Sequence, residues 1–424
     1  MDDRGSGAKR LARGLGLGDA VVVGLGSMLG AGVFASFAPA AAAAGAGLLI
    51  ALALAAMVAY CNGLATAQLA ARYPESGGAY RYGRLRLGPV WGFLAGWGFV
   101  IGKTASCAAM ALTFGAYTSP EHPSVPAVAA VMVLTAVNYL GIARTASVTR
   151  LLVALTLLAL TAVVMAALGG GHANPANFTG WTSGGLTGIT QAAALLFFAF
   201  AGYARIATLG EEVREPARII PQAIPLALGI IVAIYATVGA AALAAVGPTA
   251  LASSAAPLAV ATESGTLSWL TPVVRIGGAV ASAGALLSLL AGAGRTVLAM
   301  ARDHELPHAL AAVHPRYQVP HRAEIVLGLA IITIVAIADL RNAIGFSSFA
   351  ILTYYAVANA ASFTLPGRQR RWRRPLAVLG FTGCAVLALT LPLSAVLTGA
   401  AVLILGLLGR AVRFDPRLAN RDPE

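Results

Sequence analysis

The groups in this chain best placed to bind something are backbone amides, and four glycines expose them. Gly24-Leu25-Gly26-Ser27-Met28-Leu29-Gly30-Ala31-Gly32-Val33-Phe34 lies inside an apolar run long enough to cross a bilayer. Glycine in a helix interior costs roughly 0.5 to 1 kcal/mol relative to alanine. Repeated glycine in a span therefore means close packing, an interrupted helix, or both, and we read an interruption. Hydrocarbon accepts unpaired backbone groups only where they are buried in protein or line a cavity. At such a break the freed N–H groups and the positive end of the second half-helix attract an anion. A carboxylate suits them, so the backbone of Ser27, Met28, Leu29, Gly30, Ala31 and Gly32 is assigned to it, with the Ser27 hydroxyl as an extra donor. The competing reading of Gly26, Gly30 and Gly32 is helix packing through small residues.

Ionisable side chains within apolar runs are few. Lys103, one of two lysines, falls about a third of the way into the third run. A charge there costs at least ~2.5 kcal/mol on insertion scales, so it is expected to be paired, neutral at some stage, or near water, and to have a functional role. Ser282 and Ser288 in the eighth run are candidate neighbours, although no spacing argument places Lys103 beside them. Arg205 reads either as a selectivity residue that disfavours cations or as the partner of Glu211 or Glu212 in a gate or a structural ion pair. Gly16-Leu17-Gly18-Asp19 matches the GxGD string of intramembrane aspartyl proteases, but no second membrane carboxylate accompanies it, and Asp19 reads as a helix N-cap. Cys61, Cys107 and Cys384 have no metal-ligand spacing, and no metal or cofactor is expected. No HExxH occurs, and Gly24-Leu25-Gly26 lacks the third glycine of a dinucleotide fingerprint, so no enzyme is read here.

The elements that must hold these residues are membrane helices. Hydrophobic residues make up 58% of 424 positions and charged residues only 11%, against about 25% charged in soluble domains. Apolar runs of membrane-spanning length fall at 18–44, 48–71, 88–117, 124–141, 146–168, 186–210, 220–246, 270–300, 322–339, 343–365, 375–391 and 393–410, with a break expected in the tenth at Ser347-Ser348. Of the 29 Lys and Arg, all but Lys103, Arg275 and Arg341 fall in alternate loops and the termini. That asymmetry puts both termini in the cytoplasm and explains the net charge of +13 without nucleic acid. Residues 1–17 and 411–424 read as cytoplasmic tails, and a short interfacial helix is expected after Pro216.

Several strings taken together resemble the amino acid-polyamine-organocation (APC) superfamily of transporters. They are the glycine-broken first helix, Tyr73-Pro74-Glu75-Ser76-Gly77-Gly78-Ala79-Tyr80, Gly92-Phe93-Leu94-Ala95-Gly96-Trp97, Phe197-Phe198-Ala199-Phe200-Ala201-Gly202-Tyr203, Glu211-Glu212-Val213-Arg214-Glu215-Pro216, and Arg295 through Asp303. The resemblance implies an all-α polytopic fold of about twelve transmembrane helices. Its core is a leucine-transporter-like inverted repeat of five plus five helices, 18–168 and 186–365, followed by two helices in 375–410. Paired broken helices in corresponding positions of two halves, here at Gly30/Gly32 and Gly202, point to a midplane site. Carbonyls around Phe198, Ala199 and Ala201 would then accept from a substrate ammonium, with Phe200 and Tyr203 at the lid position. Some family members carry a coupling lysine in helix five, where this chain has Thr156. The expected function is secondary transport of a neutral or zwitterionic amino acid across the cytoplasmic membrane, coupled to protons or by exchange. A non-transporting amino-acid sensor and a polyamine or organocation transporter are the alternatives.

Overall fold

The computed structural model describes residues 15–73, 77–141, 146–209, 212–367 and 371–413. Among them there is no β-strand beyond one isolated bridge, and every apolar run becomes helix. The first run is three pieces, α1 (Leu17–Met28), α2 (Ala31–Ala35) and α3 (Phe37–Ala44), and a tight turn at Gly45 with φ 57° leads into α4 (Leu48–Arg72). A short helix, α5 (Gly78–Arg86), follows. Gly88 at φ 107° then turns the chain so that Pro89, a residue at ease in a first turn, can open α6 (Pro89–Thr118). Next come α7 (Ser124–Tyr139) and α8 (Ala146–Gly169).

The sixth run is broken as well: α9 (Gly185–Phe200), a single 3₁₀ turn at Ala201–Tyr203, and α10 (Ala204–Ala207). The interfacial helix expected after Pro216 does not exist as a separate element. Pro216 begins α11 (Pro216–Ser253), which runs straight on into the seventh span and kinks only at Gly247, ahead of Pro248. The remaining helices are α12 (Pro257–Glu263), α13 (Thr271–Arg302), α14 (His321–Ile337), α15 (Leu340–Phe363), α16 (Arg374–Thr390) and α17 (Leu393–Arg413). The expected break at Ser347-Ser348 is also corrected: α15 is continuous there, and Ser347 shares a 2.7 Å hydrogen bond with Ser106 of α6. A buried serine so bonded needs no helix break to be satisfied.

Nine helical stretches of the described residues are long and apolar enough to cross a membrane, and Ser124–Tyr139 and Arg374–Thr390 are shorter apolar helices. With the 17-residue α14 these account for all twelve runs. Large apolar side chains point outward around the bundle, among them Met57, Leu151, Ile276, Leu329, Leu389 and Leu405. Trp91, Trp181 and Trp269 are exposed near helix ends, where amphipathic rings favour a membrane interface. This is a polytopic all-α membrane protein.

At the centre stands α6, which packs most extensively on α13 and α15 and is 89% buried over its apolar window, against 17% for α17. Small residues make that centrality possible. A side chain at Gly92 would strike Arg84, one at Gly96 would strike Tyr80 and Met300, and one at Gly102 would crowd Ala350 and Ile351. Gly92 and Gly96 therefore let α5 lie flat on α6, which fixes one end of the bundle.

That end is pinned by a buried carboxylate. Glu305, 3% exposed, accepts from Arg410 Nε at 2.7 Å and from Arg84 Nη1 at 3.2 Å, joining α5, the end of α13 and α17. Beside it Tyr80 donates to Asp303 at 2.6 Å, and the Tyr354 hydroxyl accepts from the Ala79 amide at 3.0 Å. Burial and the Asp303 carboxylate both raise the Tyr80 phenol above its ordinary range, so it stays a donor at every physiological pH. Removing a buried partner strands its counter-charges. Glu305→Ala is expected to lower stability by about 2 kcal/mol, less than a fully buried pair because Arg84 is partly exposed. Arg218→Ala, which breaks only an exposed pair with Glu215, should leave the melting midpoint of the detergent-solubilised protein unchanged.

Candidate functional site

The two helix breaks meet face to face. In the first, Leu29 has ψ 49° and Gly30 ψ −150°, neither helical, so α2 restarts at Ala31 with N–H groups that have no carbonyl one turn earlier. In the second, the ladder tightens to 3₁₀ over Ala201–Tyr203. Contact between them is backbone to backbone: a side chain at Gly202 would collide with the Ser27 carbonyl, and one at Gly32 would come within 2.6 Å of the Ala199 Cα. Gly30 is pressed against Ala285 of α13. The glycines thus serve close packing and interruption together.

Resident donors satisfy the carbonyls that the breaks expose. Tyr235 of α11 reaches the carbonyls of both Met28, at 2.6 Å, and Ala199, at 3.1 Å. The Ala201 carbonyl accepts from Tyr355 at 3.3 Å and from Lys103 Nζ at 3.5 Å. Tyr117 donates to the Phe34 carbonyl at 2.9 Å, on the far side of the break. The Ser27 hydroxyl spends its hydrogen on the Val23 carbonyl at 2.8 Å, which leaves it an acceptor toward a ligand.

A cavity of about 240 Å³ opens against these breaks, lined by Ser27, Ala201, Gly202, Lys103, Arg205 and Ser288 among others. It continues past Arg205, Glu212 and Arg295 into an outer chamber of about 510 Å³ that adds Asn138, Gln318 and Glu324. Lys103 stands at the midpoint of α6, deeper than its spacing suggested, and its ammonium also lies 5.7 Å from the centre of the Phe99 ring. No carboxylate pairs with it among the described residues. Ser288 shares its cavity, whereas Ser282 is fully buried and bonds back to the Gly278 carbonyl at 2.6 Å.

Other sequence-nominated residues lie behind the cavity wall. Phe200 is fully buried, 5.2 Å from the Tyr235 ring, and Tyr203 stacks on Tyr355 at 4.9 Å. Met28, Leu29, Gly30, Ala31, Gly32, Phe198 and Ala199 are buried around the breaks and do not line it. Arg205 bonds Thr208 at 3.3 Å and shares the cavity with Glu212 without a salt bridge; Glu211 falls outside the described residues. Asp19 lies in the first turn of α1, not at its cap, accepting from the Gly16 amide at 3.2 Å and pairing with Arg150 at 2.6 Å. Thr156 borders a small gap with Gly26 and Leu29, so α8 meets the first break with a hydroxyl.

The sequence reading passed over Tyr235, Tyr355, Arg295 and Glu324. The two tyrosines sit in apolar helix stretches with no motif around them. Arg295 was read only as a basic loop residue and as the first residue of a family-like string, with no role at the site.

The amino acid permease model matches residues 19–408, which takes in both breaks and every residue that lines the cavity. The chain belongs to the amino acid permease family. This permease is 60% identical over 403 residues to an uncharacterized transporter of Mycobacterium tuberculosis, covering 95% of this chain and 92% of that one. It is 26% identical to the branched-chain amino acid permease BcaP of Bacillus subtilis over 86% of this chain and 83% of the relative. The chloroplastic cationic amino acid transporter 7 of Arabidopsis thaliana is likewise 26% identical, over 85% of this permease and 67% of the plant protein. It is thus a membrane transporter, and its broken helices lie in the part the family shares.

Among the described residues, the Tyr235 hydroxyl is the one donor that touches both breaks. Tyr235→Phe strips it from two buried carbonyls and is expected to destabilise the purified permease by about 1 to 3 kcal/mol. The exposed Tyr60, changed the same way, should leave the thermal midpoint where it was.

Proposed function

We propose that this permease moves an amino acid across the cytoplasmic membrane by alternating access, with 18–168 and 186–365 acting as the two inverted repeats, 375–410 as accessory helices, and both termini cytoplasmic. The observation that carries the reading is the pair of helix breaks, Leu29-Gly30 and Ala201–Tyr203, abutting at the head of a cavity open toward one end of the bundle. In this reading the substrate carboxylate takes the N–H groups at the start of α2, where the freed amides and the half-helix dipole both favour an anion. The open end holds Tyr80, Glu212 and Arg295, in the arginine-bearing segments that charge asymmetry puts inside, so the conformation described is inward-open.

Lys103 is the proposed coupling residue. Its ammonium binds the Ala201 carbonyl within the second break and is 4% exposed, so its protonation is tied to how that break and the cavity are hydrated. A proton leaving Lys103 would weaken its hydrogen bond to the Ala201 carbonyl and so loosen its tie to the second break.

Uptake into liposomes holding the purified protein, with imposed proton, sodium or counter-substrate gradients, tests the reading. Saturable accumulation of an amino acid under one gradient is expected. Binding without accumulation under every gradient would make the protein a sensor. Lys103→Ala is expected to abolish proton-driven accumulation while counterflow exchange persists, and Gly202→Leu, which forces the breaks apart, to abolish both.

A further inference from the structure

The cavity at the breaks holds more positive groups than carboxylates. Three basic side chains line it, Lys103, Arg205 and Arg295, against one carboxylate, Glu212, among its described lining residues. The acids nearest this end are already engaged. Asp303 holds Tyr80, Glu305 holds Arg84 and Arg410, and Asp19 holds Arg150. Glu324 belongs to the outer chamber only and is 2% exposed there.

The guanidiniums have nothing equivalent. Arg205 gives one hydrogen bond, to the neutral Thr208 hydroxyl, with Glu212 near enough to attract it, and Arg295, which makes no hydrogen bond or ion pair with any described residue, feels the attraction of Glu324 in the outer chamber. They also lie close enough to repel each other, although Glu212 acts on Arg205 more strongly than Arg295 does. Two arginines facing one cavity repel unless an anion comes between them, and a planar fork of donors is the geometry that receives a carboxylate.

The acceptor side runs the other way. The carbonyls of Met28, Ala199 and Ala201, which a substrate ammonium would need, already take Tyr235, Tyr355 and Lys103. A neutral zwitterion leaves the basic excess as it found it, and a cationic amino acid adds to it. We propose that the substrate of this permease carries net negative charge: an acidic amino acid held in the cavity beside the breaks, with a carboxylate received by Arg205 and Arg295. The inference rests on the reading of this cavity as the transport site and goes beyond it by choosing the substrate's charge.

The test is a competition series on the full-length protein in liposomes. Uptake of labelled glutamate and aspartate is measured against unlabelled glutamate, aspartate, glutamine, asparagine, leucine and arginine. Each acid is expected to compete at a concentration at least tenfold lower than its isosteric amide, and arginine to compete worst. Arg205→Gln and Arg295→Gln should each shrink the acid-to-amide ratio at least threefold, with Arg205→Lys retaining part of it. Size-exclusion profiles and melting midpoints identify variants that are folded, and if neither glutamine variant is, the wild-type series decides. Saturable uptake in which an amide, leucine or arginine competes as well as the acids overturns the charge assignment and leaves the transporter reading standing. Absence of saturable uptake or binding of any of the six overturns both.

Discussion

Everything in this bundle depends on a rule of the hydrocarbon environment: a backbone N–H or C=O inside it must find a partner. Two helices break that rule in the same place, at Leu29-Gly30 and over Ala201–Tyr203, and the surrounding structure repairs it. The repair is economical, because Tyr235 serves a carbonyl from each break and Ala201 is served by Tyr355 and Lys103. Carbonyls are better covered than amides. In the proposed reading, the amides at the start of α2 are what remains to attract an anion.

A second constraint is distance. Two helices can exchange backbone contacts only where side chains vanish, and Gly32 against Ala199 and Gly202 against Ser27 are such places. The same device sets α5 on α6 through Gly92 and Gly96, and so orients Tyr80, Arg84 and the Glu305 cluster. Small residues at the centre and large apolar ones at the rim are two sides of one arrangement.

Much of this was legible in the sequence because hydrophobic run length and glycine clustering report directly on membrane helices and their interruptions. All twelve runs and both breaks could be read that way. What could not be read involved partners distant in sequence. Tyr235 and Tyr355 look like ordinary apolar-helix residues until the fold brings them to Met28, Ala199 and Ala201. A break at Ser347-Ser348 was expected in the tenth run, yet α15 is whole there and Ser347 bonds Ser106 across to α6. Pro216 looked like the start of a separate helix because proline marks a first turn. Pro221 and Pro225 lie in the opening turns of the same α11, which continues past both.

One small feature ties the two broken helices outside the membrane core. Just before α1, the Leu15 amide donates to the Glu212 carbonyl and the Arg214 amide donates to the Leu15 carbonyl, each at 3.1 Å, a parallel β-bridge between the segment that enters the first helix and the one that leaves α10. Each bond is worth only about 1 kcal/mol net. Their effect is kinematic: with one end zipped together and the breaks abutting at the other, α1 and α10 form a closed loop of chain, and a closed loop swings as one lever or comes unzipped at its weakest stitch.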